Sequence, residues 1–391
     1  MALVAELEPT FPMKIPRLCF WPAVVFIAEL ANASVGQFAN HGDVGNPALA
    51  GSTTYDPALQ HYRMSAGGSN VWGTSDQFHF AWNDVKGDFI IRARFEFVGQ
   101  GAHSHRKLGW MARSSLNHDA AYVAAALHGD GRAEIQFRRA DGASTDGIQL
   151  NLSGGDVIQL ERRGNTFIFS SARYGETFES IQVADVALAD EAKVGLFLCS
   201  HRAEMKEEAI FKDVRILRPP PAGFTQESDF IGSQLEILNV HTGQLTALHR
   251  STEPFEAPSW KRDGRTLIVN VSGSGPNNGR LRIYDLTTGQ FSPLDTGFAT
   301  KNNNDHVLSF DGKQLGISHH SADDESRSVI YRVPATGGTP TRVTPNSPSY
   351  LHGWSPDGQQ LVYTGRRNGR YDIYTIAISG GEEIRLTNAP G

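Results

Sequence analysis

The sequence predicts an all-β protein made of two units, and three observations carry this prediction. Glycine (40 residues) and Phe (21 residues) are abundant, a composition that favours short strands joined by tight turns. Apolar and polar residues alternate along the first half, as in half-buried strands. In the second half, an Asp-Gly pair recurs with the period of a four-stranded propeller blade. A chain of 391 residues has room for two or three domains, each with its own core.

The N-terminus predicts export. Lys14 and Arg17 precede an apolar run from Leu18 to Ala28, and Ala31-Asn32-Ala33 is a small-x-small cleavage site, so residues 1–33 are interpreted as a signal peptide. The acidic segment before Met13 does not suit a signal peptide, and Met13 is expected to be the true start. The apolar run is too short for a stable membrane span. Cleavage near Ala33 predicts a periplasmic or secreted protein.

Charge and cysteine content exclude two function classes. The net charge of −6 and a pI near 6.2 argue against a nucleic-acid partner, because phosphates need a basic face. Cys19 and Cys199 are the two cysteines, and they provide neither a disulfide framework nor a zinc cluster.

Residues 37–217 predict short antiparallel strands, of which one hairpin carries a candidate site. Alternation over 89–97 places apolar side chains on one face of a strand. The Gly129-Asp130-Gly131 turn predicts a hairpin in which 126 pairs with 134, 124 with 136 and 122 with 138. Its polar face could form a shallow ligand groove or a solvated outer surface, and it collects the candidate binding residues Tyr122, His128, Arg132, Glu134, Gln136 and Arg138.

The phrases YRMSAGGSNVWGTSDQFHFAW, GDFIIRARFEF and AALHGDGRAEIQFRR resemble the concanavalin A-like jelly-roll modules of secreted bacterial proteins. This resemblance covers about residues 37–217 and implies a two-sheet β-sandwich of a type that often binds carbohydrate and sometimes hydrolyses glycosidic bonds. Catalytic glucanases of this type need carboxylates spaced Glu-x-Asp-x-x-Glu, a pattern that these residues lack. Trp72, Trp82 and Trp110 are candidates for stacking on sugars or for core packing.

A Pro-rich linker over residues 218–227 leads to repeats over residues 228–391. Asp263, Asp311 and Asp357 lie 48 and 46 residues apart, since 311 − 263 = 48 and 357 − 311 = 46. Each Asp-Gly pair is followed by two alternating strands and a short last strand. The recurrence favours turn capping over metal binding as the role of these aspartates.

The unit WSPDGQQLVYTGRRNGRYDIYTIAISGGEEIRLT resembles the TolB-type, WD40-like propeller repeat. Residues 228–250 supply only two further strands, so the prediction is an incomplete β-propeller of about three and a half four-stranded blades. Since propellers usually close with four to eight blades, we expect a longer parent protein. Closure by a second copy is the alternative.

A second candidate site lies on the innermost strands of the blades. His306 and His352 both precede their turn Asp by five residues, and Asp305 and Tyr350 adjoin them. These four residues are expected at the central channel. Imidazoles and a carboxylate there could bind a divalent metal, as in the oligogalacturonate lyases that the repeat resembles. In the simpler interpretation, the histidines form hydrogen bonds between neighbouring blades, and the site binds neither a metal nor a cofactor.

Two functional hypotheses remain. The leading one is an exported, non-enzymatic binding protein of the bacterial envelope, whose sandwich binds a glycan or polypeptide and whose propeller binds a protein. It rests on the export signal and on the lack of nucleophile-elbow, zinc-protease and nucleotide-binding motifs. The alternative is a carbohydrate-active enzyme, similar to polysaccharide lyases, that uses a metal held by the channel histidines.

Overall fold

The computed structural model of the chain describes residues 34–101, 103–225, 229–273 and 275–388. The predicted signal peptide and part of the predicted linker lie outside these ranges. The all-β prediction is confirmed: the described residues form 30 strands and one short 3-10 helix, Ala322–Asp324. Among the described residues, the structure contains no helix long and apolar enough to cross a bilayer.

The first unit consists of sixteen strands. They are β1 (Asn40–Val44), β2 (Ser52–Asp56), β3 (His61–Ala66), β4 (Val71–Trp72), β5 (Ser75–Asp76), β6 (Phe78–Lys86), β7 (Phe89–Val98), β8 (Lys107–Arg113), β9 (Tyr122–His128), β10 (Arg132–Arg138), β11 (Asp146–Ser153), β12 (Val157–Arg163), β13 (Thr166–Ala172), β14 (Glu179–Val183), β15 (Glu191–Cys199) and β16 (Glu207–Leu217).

Two antiparallel seven-stranded sheets share one core and form what we call the sandwich. Sheet A has the order β1-β6-β15-β8-β9-β10-β11, and sheet B has the order β14-β13-β12-β7-β16-β3-β2. The alternation over 89–97 explains this core, because Phe89, Ile91, Ala93 and Phe95 point inward and are buried. They pack with side chains from β8 and β9 of sheet A. Burial of apolar side chains between the two sheets is the main stabilising term of the unit.

Part of the outer face of sheet A is also buried. The short hairpin β4–β5 and the residues around it lie across this face. A second apolar cluster fills the space between them, with Val71, Phe78 and Phe80 packed against Tyr122 and Met111. Sheet A therefore has apolar packing on both faces, and the strands β8 and β9 are buried along their whole length.

The repeat region forms fourteen strands. They are β17 (Ser233–Asn239), β18 (Gln244–Ser251), β19 (Phe255–Trp260), β20 (Thr266–Val271), β21 (Leu281–Asp285), β22 (Gln290–Pro293), β23 (Asn302–Leu308), β24 (Gln314–Ser321), β25 (Arg327–Pro334), β26 (Thr341–Arg342), β27 (Ser349–Trp354), β28 (Gln360–Arg367), β29 (Arg370–Ala377) and β30 (Ile384–Arg385).

These strands build three consecutive four-stranded sheets, β19–β22, β23–β26 and β27–β30, after a two-stranded sheet, β17–β18. We call the three sheets the first, second and third blades and the two-stranded sheet the half-blade. The number of strands per repeat agrees with the prediction from sequence. Neighbouring blades contact through their first strands, β19 with β23 and β23 with β27.

The Asp-Gly turns have the structural role that the sequence predicts. The carboxylate of Asp311 accepts from the backbone N–H of Lys313 at 3.0 Å, and that of Asp357 accepts from Gln359 at 2.9 Å. The following glycines adopt positive φ, +72° at Gly312 and +71° at Gly358. Glycine adopts this left-handed conformation without the steric cost that a Cβ imposes, so the pair closes the hairpin.

Several polar contacts join the sandwich to the half-blade. Gln60 donates to the carbonyl of Ala247 at 2.8 Å and accepts from its N–H at 2.9 Å. Arg215 pairs with Glu236 at 2.5 Å. Arg94 stacks on Tyr174 at 3.7 Å from the ring centroid and donates to the carbonyl of Gly243 at 3.2 Å. The last sandwich strand ends at Leu217, so these contacts, not the linker alone, position the half-blade.

Candidate functional site

The β9–β10 hairpin has the register that the sequence predicts. Glu134 pairs with Ala126, Gln136 with Ala124 and Arg138 with Tyr122. The three-residue turn determines this pairing, and the period of two along each strand then places alternate residues on one face. The six predicted groove residues therefore share the outer face of sheet A.

Two of the six do not line an open groove. Tyr122 and Arg138 have no exposed surface, because the β4–β5 hairpin covers them. Both terminal nitrogens of Arg138 donate to the carboxylate of Asp76 at 2.8 Å, and Tyr122 Oη is 3.2 Å from Thr145 Oγ1. The prediction that Tyr122 and Arg138 contact a ligand is corrected: they hold the covering hairpin in place. Sequence alternation identified the face but could not show what packs on it.

The other four residues form a connected polar cluster nearer the turn of the hairpin, in which Arg132 and Glu134 are partly exposed and His128 and Gln136 are buried. Gln136 Nε2 donates to Glu134 Oε2 at 2.7 Å, and His128 Nε2 lies 3.3 Å from the same oxygen. Arg132 Nη2 donates to His128 Nδ1 at 3.3 Å. Gln136 Oε1 is buried and has no hydrogen-bond partner. The cluster therefore holds a fixed carboxylate and a cation side by side.

The charge states of this cluster follow from its contacts. Burial raises the pKa of Glu134, but hydrogen bonds from His128 and Gln136 outweigh burial and hold the pKa below its ordinary value. Burial lowers the pKa of His128, against the opposing hydrogen bond to Glu134. At neutral pH, Glu134 is ionised and His128 is neutral.

Trp72 adds an exposed aromatic ring to this cluster. Its exposure is 38%, whereas Trp82 and Trp110, the other two tryptophans considered for stacking, are buried in the sandwich. A Cβ added to Gly147 would lie 2.5 Å from Glu134 Oε1 and 3.2 Å from Trp72 Cη2. The indole and the carboxylate thus lie close together against the backbone of Gly147, and any side chain at residue 147 would displace the carboxylate.

Four histidine rings meet beside the cluster, a feature that sequence spacing did not reveal. The ring centroid of His201 lies 4.3 Å from that of His103 and 5.4 Å from that of His105, and His105 lies 6.0 Å from His128. His103 and His105, from the loop before β8, belong to this group. Burial and the neighbouring positive groups lower the pKa of His201 to about 4, so its ring is neutral at pH 7. Only the His-x-His pair hinted at such a cluster.

We call this region the rim site and define it by Trp72, His105, His128, Arg132, Glu134, Gln136 and His201. It combines a flat apolar surface with charged and neutral hydrogen-bonding groups, the composition of sites that orient a polar ligand through a few placed contacts. Among residues 34–101, 103–225, 229–273 and 275–388, no group of three or more His, Cys, Asp or Glu side chains is arranged to hold a metal ion.

The residues predicted at the propeller channel separate into two environments. His306 is 3% exposed, and its Nε2 lies 3.4 Å from the carbonyl of Ile268 in the first blade. Burial lowers its pKa to about 4. The placement of His306 at the channel surface is therefore corrected: this side chain lies between two blades. His352 is exposed, with Nε2 3.0 Å from Thr364 Oγ1.

The strand irregularities explain this difference. In β27 the pairing shifts between Leu351 and Gly353, so His352 is the extra residue of a bulge. In β23 the shift comes earlier, and His306 pairs with Ile317. Equivalent positions in the repeat therefore face different surroundings. Asp305, Tyr350 and His352 remain electrostatic neighbours. Burial raises the pKa of Asp305, and His352 opposes that rise. The pKa of Tyr350 is raised by burial first, then by Tyr371, and then by the charge of Asp305.

Comparisons with known proteins find TolB-like relatives. No family model matches the chain. An uncharacterized protein of Agrobacterium fabrum is 43% identical over 162 residues, which are 41% of this chain and 52% of that relative. The Tol-Pal system protein TolB of Bordetella pertussis is 31% identical over 135 residues, 34% of this chain and 29% of that protein. A solved structure from Agrobacterium tumefaciens described as a TolB is 42% identical, covering 40% of this chain and 53% of that one, with a TM-score of 0.37.

The chain thus spans about half the length, or less, of the curated relatives that it matches. The sequence matches to TolB proteins, together with the four-stranded repeats, support a TolB-like propeller.

Proposed function

We propose that this chain is an exported, non-enzymatic binding protein of a bacterial envelope. In this proposal the sandwich is a concanavalin A-like module whose rim site holds a glycan, and the blades bind a partner protein. The observation that carries the glycan part is the exposed indole of Trp72 beside the carboxylate of Glu134.

The chemistry of the rim site suits a sugar. An exposed indole offers an apolar face to the C–H groups of a pyranose ring while its N–H remains available for a hydrogen bond. The ionised Glu134 accepts from hydroxyl groups, and the half-exposed Arg132 donates to them. Gln136 is buried, and its part is to hold the Glu134 carboxylate through the hydrogen bond from Nε2.

Binding is favoured over catalysis because the titratable groups of the site are hydrogen-bonded to each other. Glu134 has a lowered pKa and His128 is held neutral, whereas general acid–base catalysis favours groups that titrate near the operating pH. A retaining glycosidase would need a second carboxylate about 5 Å from the first. The residues that flank Glu134 in the cluster are His128, Arg132 and Gln136, none of which is a carboxylate.

Two observations support the envelope part of the proposal. The sequence of residues 13–33 has the pattern of a cleavable leader. The curated relatives in Bordetella and Francisella are named for the Tol-Pal system, and a protein-binding role for the blades is inferred from those names.

A glycan array tests the sandwich part. We expect wild-type protein to bind a restricted set of saccharides and Trp72→Ala to lose at least about tenfold in affinity, the scale of one buried stacking contact. Phe298→Ala serves as the control, because Phe298 is exposed on the second-blade side and away from the sandwich. No saccharide bound by the wild-type protein, or equal binding by Trp72→Ala, would contradict the proposal.

A second variant tests the position of the Glu134 carboxylate. Gly147 does not have a positive φ, so the backbone tolerates Gly147→Ala, but the added Cβ would lie 2.5 Å from Glu134 Oε1 and would displace that carboxylate. We expect weaker saccharide binding by a protein that still unfolds cooperatively in urea. Gly154→Ala is a poor control because Gly154 has a φ of +73°; Ser144→Ala, on the exposed loop before β11, is the better one.

A further inference from the structure

A cleft of about 710 Å³ crosses the blades on the side of the Asp-Gly turns. All three blades contribute to it. The residues that matter here are Trp260, Lys261 and Arg262 from the first blade, Leu308 and Phe310 from the second, and His352 from the third.

Two large aromatic side chains in this cleft are open to solvent. Trp260 is 48% exposed and Phe310 is 51% exposed. They belong to adjacent blades, and their neighbour Leu308 is only partly buried. Exposed aromatic side chains that share one cleft are typical of surfaces that bind other proteins, since isolated exposure is ordinary but clustered exposure is not.

The third blade has a tryptophan at the position equivalent to Trp260, and the indole of that tryptophan is hydrogen-bonded and covered. Trp354 precedes Asp357 by three residues, as Trp260 precedes Asp263. The indole of Trp354 is 6% exposed and donates from Nε1 to the carbonyl of Val307 in the second blade at 2.9 Å. Among the described residues, no acceptor faces the indole N–H of Trp260. Val307 lies on the first strand of the preceding blade, whereas the half-blade before Trp260 has two strands among the described residues. An extended backbone laid beside Trp260 would supply the carbonyl and the apolar cover that β23 gives to Trp354.

The positive charge of the cleft indicates what kind of peptide it binds. Lys261 and Arg262 have no ion-pair partner in the described part of the chain, although the protein is acidic overall. The stem of Arg262 packs on the turn of the second blade, since a Cβ on Gly312 would lie 2.5 Å from Arg262 Cγ. That contact holds the guanidinium at the edge of the cleft. The nearby carboxylates of Asp263 and Asp311 accept hydrogen bonds within their own turns. The charge of Lys261 helps to lower the pKa of Asp263, but neither cation is within ion-pair distance of these carboxylates.

We propose that this cleft binds an extended, acidic peptide segment of another protein. A backbone carbonyl of the segment accepts from Trp260 Nε1, an apolar side chain packs between Trp260 and Phe310, and carboxylates pair with Lys261 and Arg262. The inference rests on the proposed role of the blades in protein binding and specifies where and what they bind. Peptides that add an extended strand gain affinity from main-chain hydrogen bonds and specificity from side-chain pockets.

The test is selection from a phage library of random peptides about a dozen residues long, on the immobilised full chain. Enriched peptides are then synthesised, labelled and titrated by fluorescence anisotropy. We expect enrichment of Asp or Glu next to aromatic or branched apolar residues. We expect Trp260→Ala, and separately Lys261→Glu with Arg262→Glu, to weaken binding at least about tenfold. The matched controls are Phe298→Ala and Lys301→Glu, an exposed aromatic and an exposed cation outside the cleft, and both are expected to bind as wild type does.

Each other outcome overturns the inference. Enrichment of basic peptides would contradict the charge argument. Peptides that bind wild type and Trp260→Ala with equal affinity would show that the binding site lies elsewhere on the chain. That result would contradict this inference but not the proposed role of the blades in protein binding. Recovery of no peptide would contradict both. A dimer of the wild-type protein in sedimentation that Trp260→Ala abolishes would show that a second copy, not a peptide segment, occupies the cleft.

Discussion

Arg138 and Asp76 show how single residues decide which part of sheet A is available to a ligand. Both side chains are fully buried, and Arg113 lies 3.6 Å from the same carboxylate. The charges are compensated only because the β4–β5 hairpin brings Asp76 over the sheet. A buried ion pair of this kind has a large desolvation cost. Removing one partner therefore destabilises the fold far more than replacing the whole pair by apolar residues would.

We therefore expect Asp76→Ala to lower the free energy of unfolding by about 3–5 kcal/mol, because two guanidinium groups would remain buried without a carboxylate. Urea denaturation followed by tryptophan fluorescence measures the change. The control is Asp190→Ala, whose ion pair with Lys86 is solvent-exposed and whose loss is expected to cost at most about 0.5 kcal/mol. Equal costs for the two variants would show that the hairpin is not held by Asp76.

His201 makes the sandwich sensitive to acid. Its pKa is lowered to about 4 by burial first, and then by the positive charge of His103, Lys107, His105 and His128. The unfolded chain takes up the proton near pH 6.5, but the folded chain resists it until about pH 4. The unfolded state therefore binds more protons in this window, and stability falls as the pH drops from about 6.5 to 4.

The prediction is that His201→Asn reduces this loss. Asn also suits the left-handed backbone at this position, where φ is +59°. Urea midpoints measured at intervals from pH 7.5 to pH 4 would show a shallower decline for His201→Asn than for wild type. His241→Asn, on an exposed turn of the half-blade, is expected to decline as wild type does. Identical slopes for His201→Asn and wild type would contradict the assignment.

At the scale of elements, hairpins were the most predictable features of this chain. The loop length between β9 and β10 determines the register, and the Asp-Gly pairs determine where each blade turns. Both signals are local, so neighbouring residues suffice to read them. The bulge that separates His306 from His352 was not predictable, because it depends on how each first strand packs against the preceding blade.

The Asp-Gly turn of the third blade provides a test at this scale. Gly358 has a φ of +71° and open space around its Cα, so a substitution there changes conformational energy without creating a clash. Gly358→Ala is expected to destabilise the blades by about 1–2 kcal/mol, and Gly358→Asn by less, because Asn tolerates the left-handed region. Thermal unfolding followed by circular dichroism measures both. Equal losses for Ala and Asn would mean that the backbone conformation is not the cause.

At the scale of the whole molecule, the rim site and the cleft lie on separate units joined through the half-blade. The all-β class and the repeat were readable from composition and period. The rim site was not, because it assembles residues from the β4–β5 hairpin, the loop before β8, the β9–β10 hairpin and the loop after β15. Trp72 and Glu134 are 62 positions apart in the sequence (134 − 72 = 62), and only the fold brings both beside Gly147.

The contacts between Gln60, Arg94 and Arg215 and the half-blade join the two units without covering either surface. Ligand binding at the rim site is therefore expected to leave the blades unchanged. This separation allows one surface to be tested while the other serves as its internal reference.

Hydrogen–deuterium exchange of the full chain, with and without the saccharide that binds most strongly, tests whether the rim site holds the ligand independently of the blades. We expect slower exchange in peptides that contain residues 70–76 and 128–136, and no change in peptides from 259–388. Protection confined to the blades, or an exchange pattern that the saccharide does not alter anywhere, would contradict this expectation.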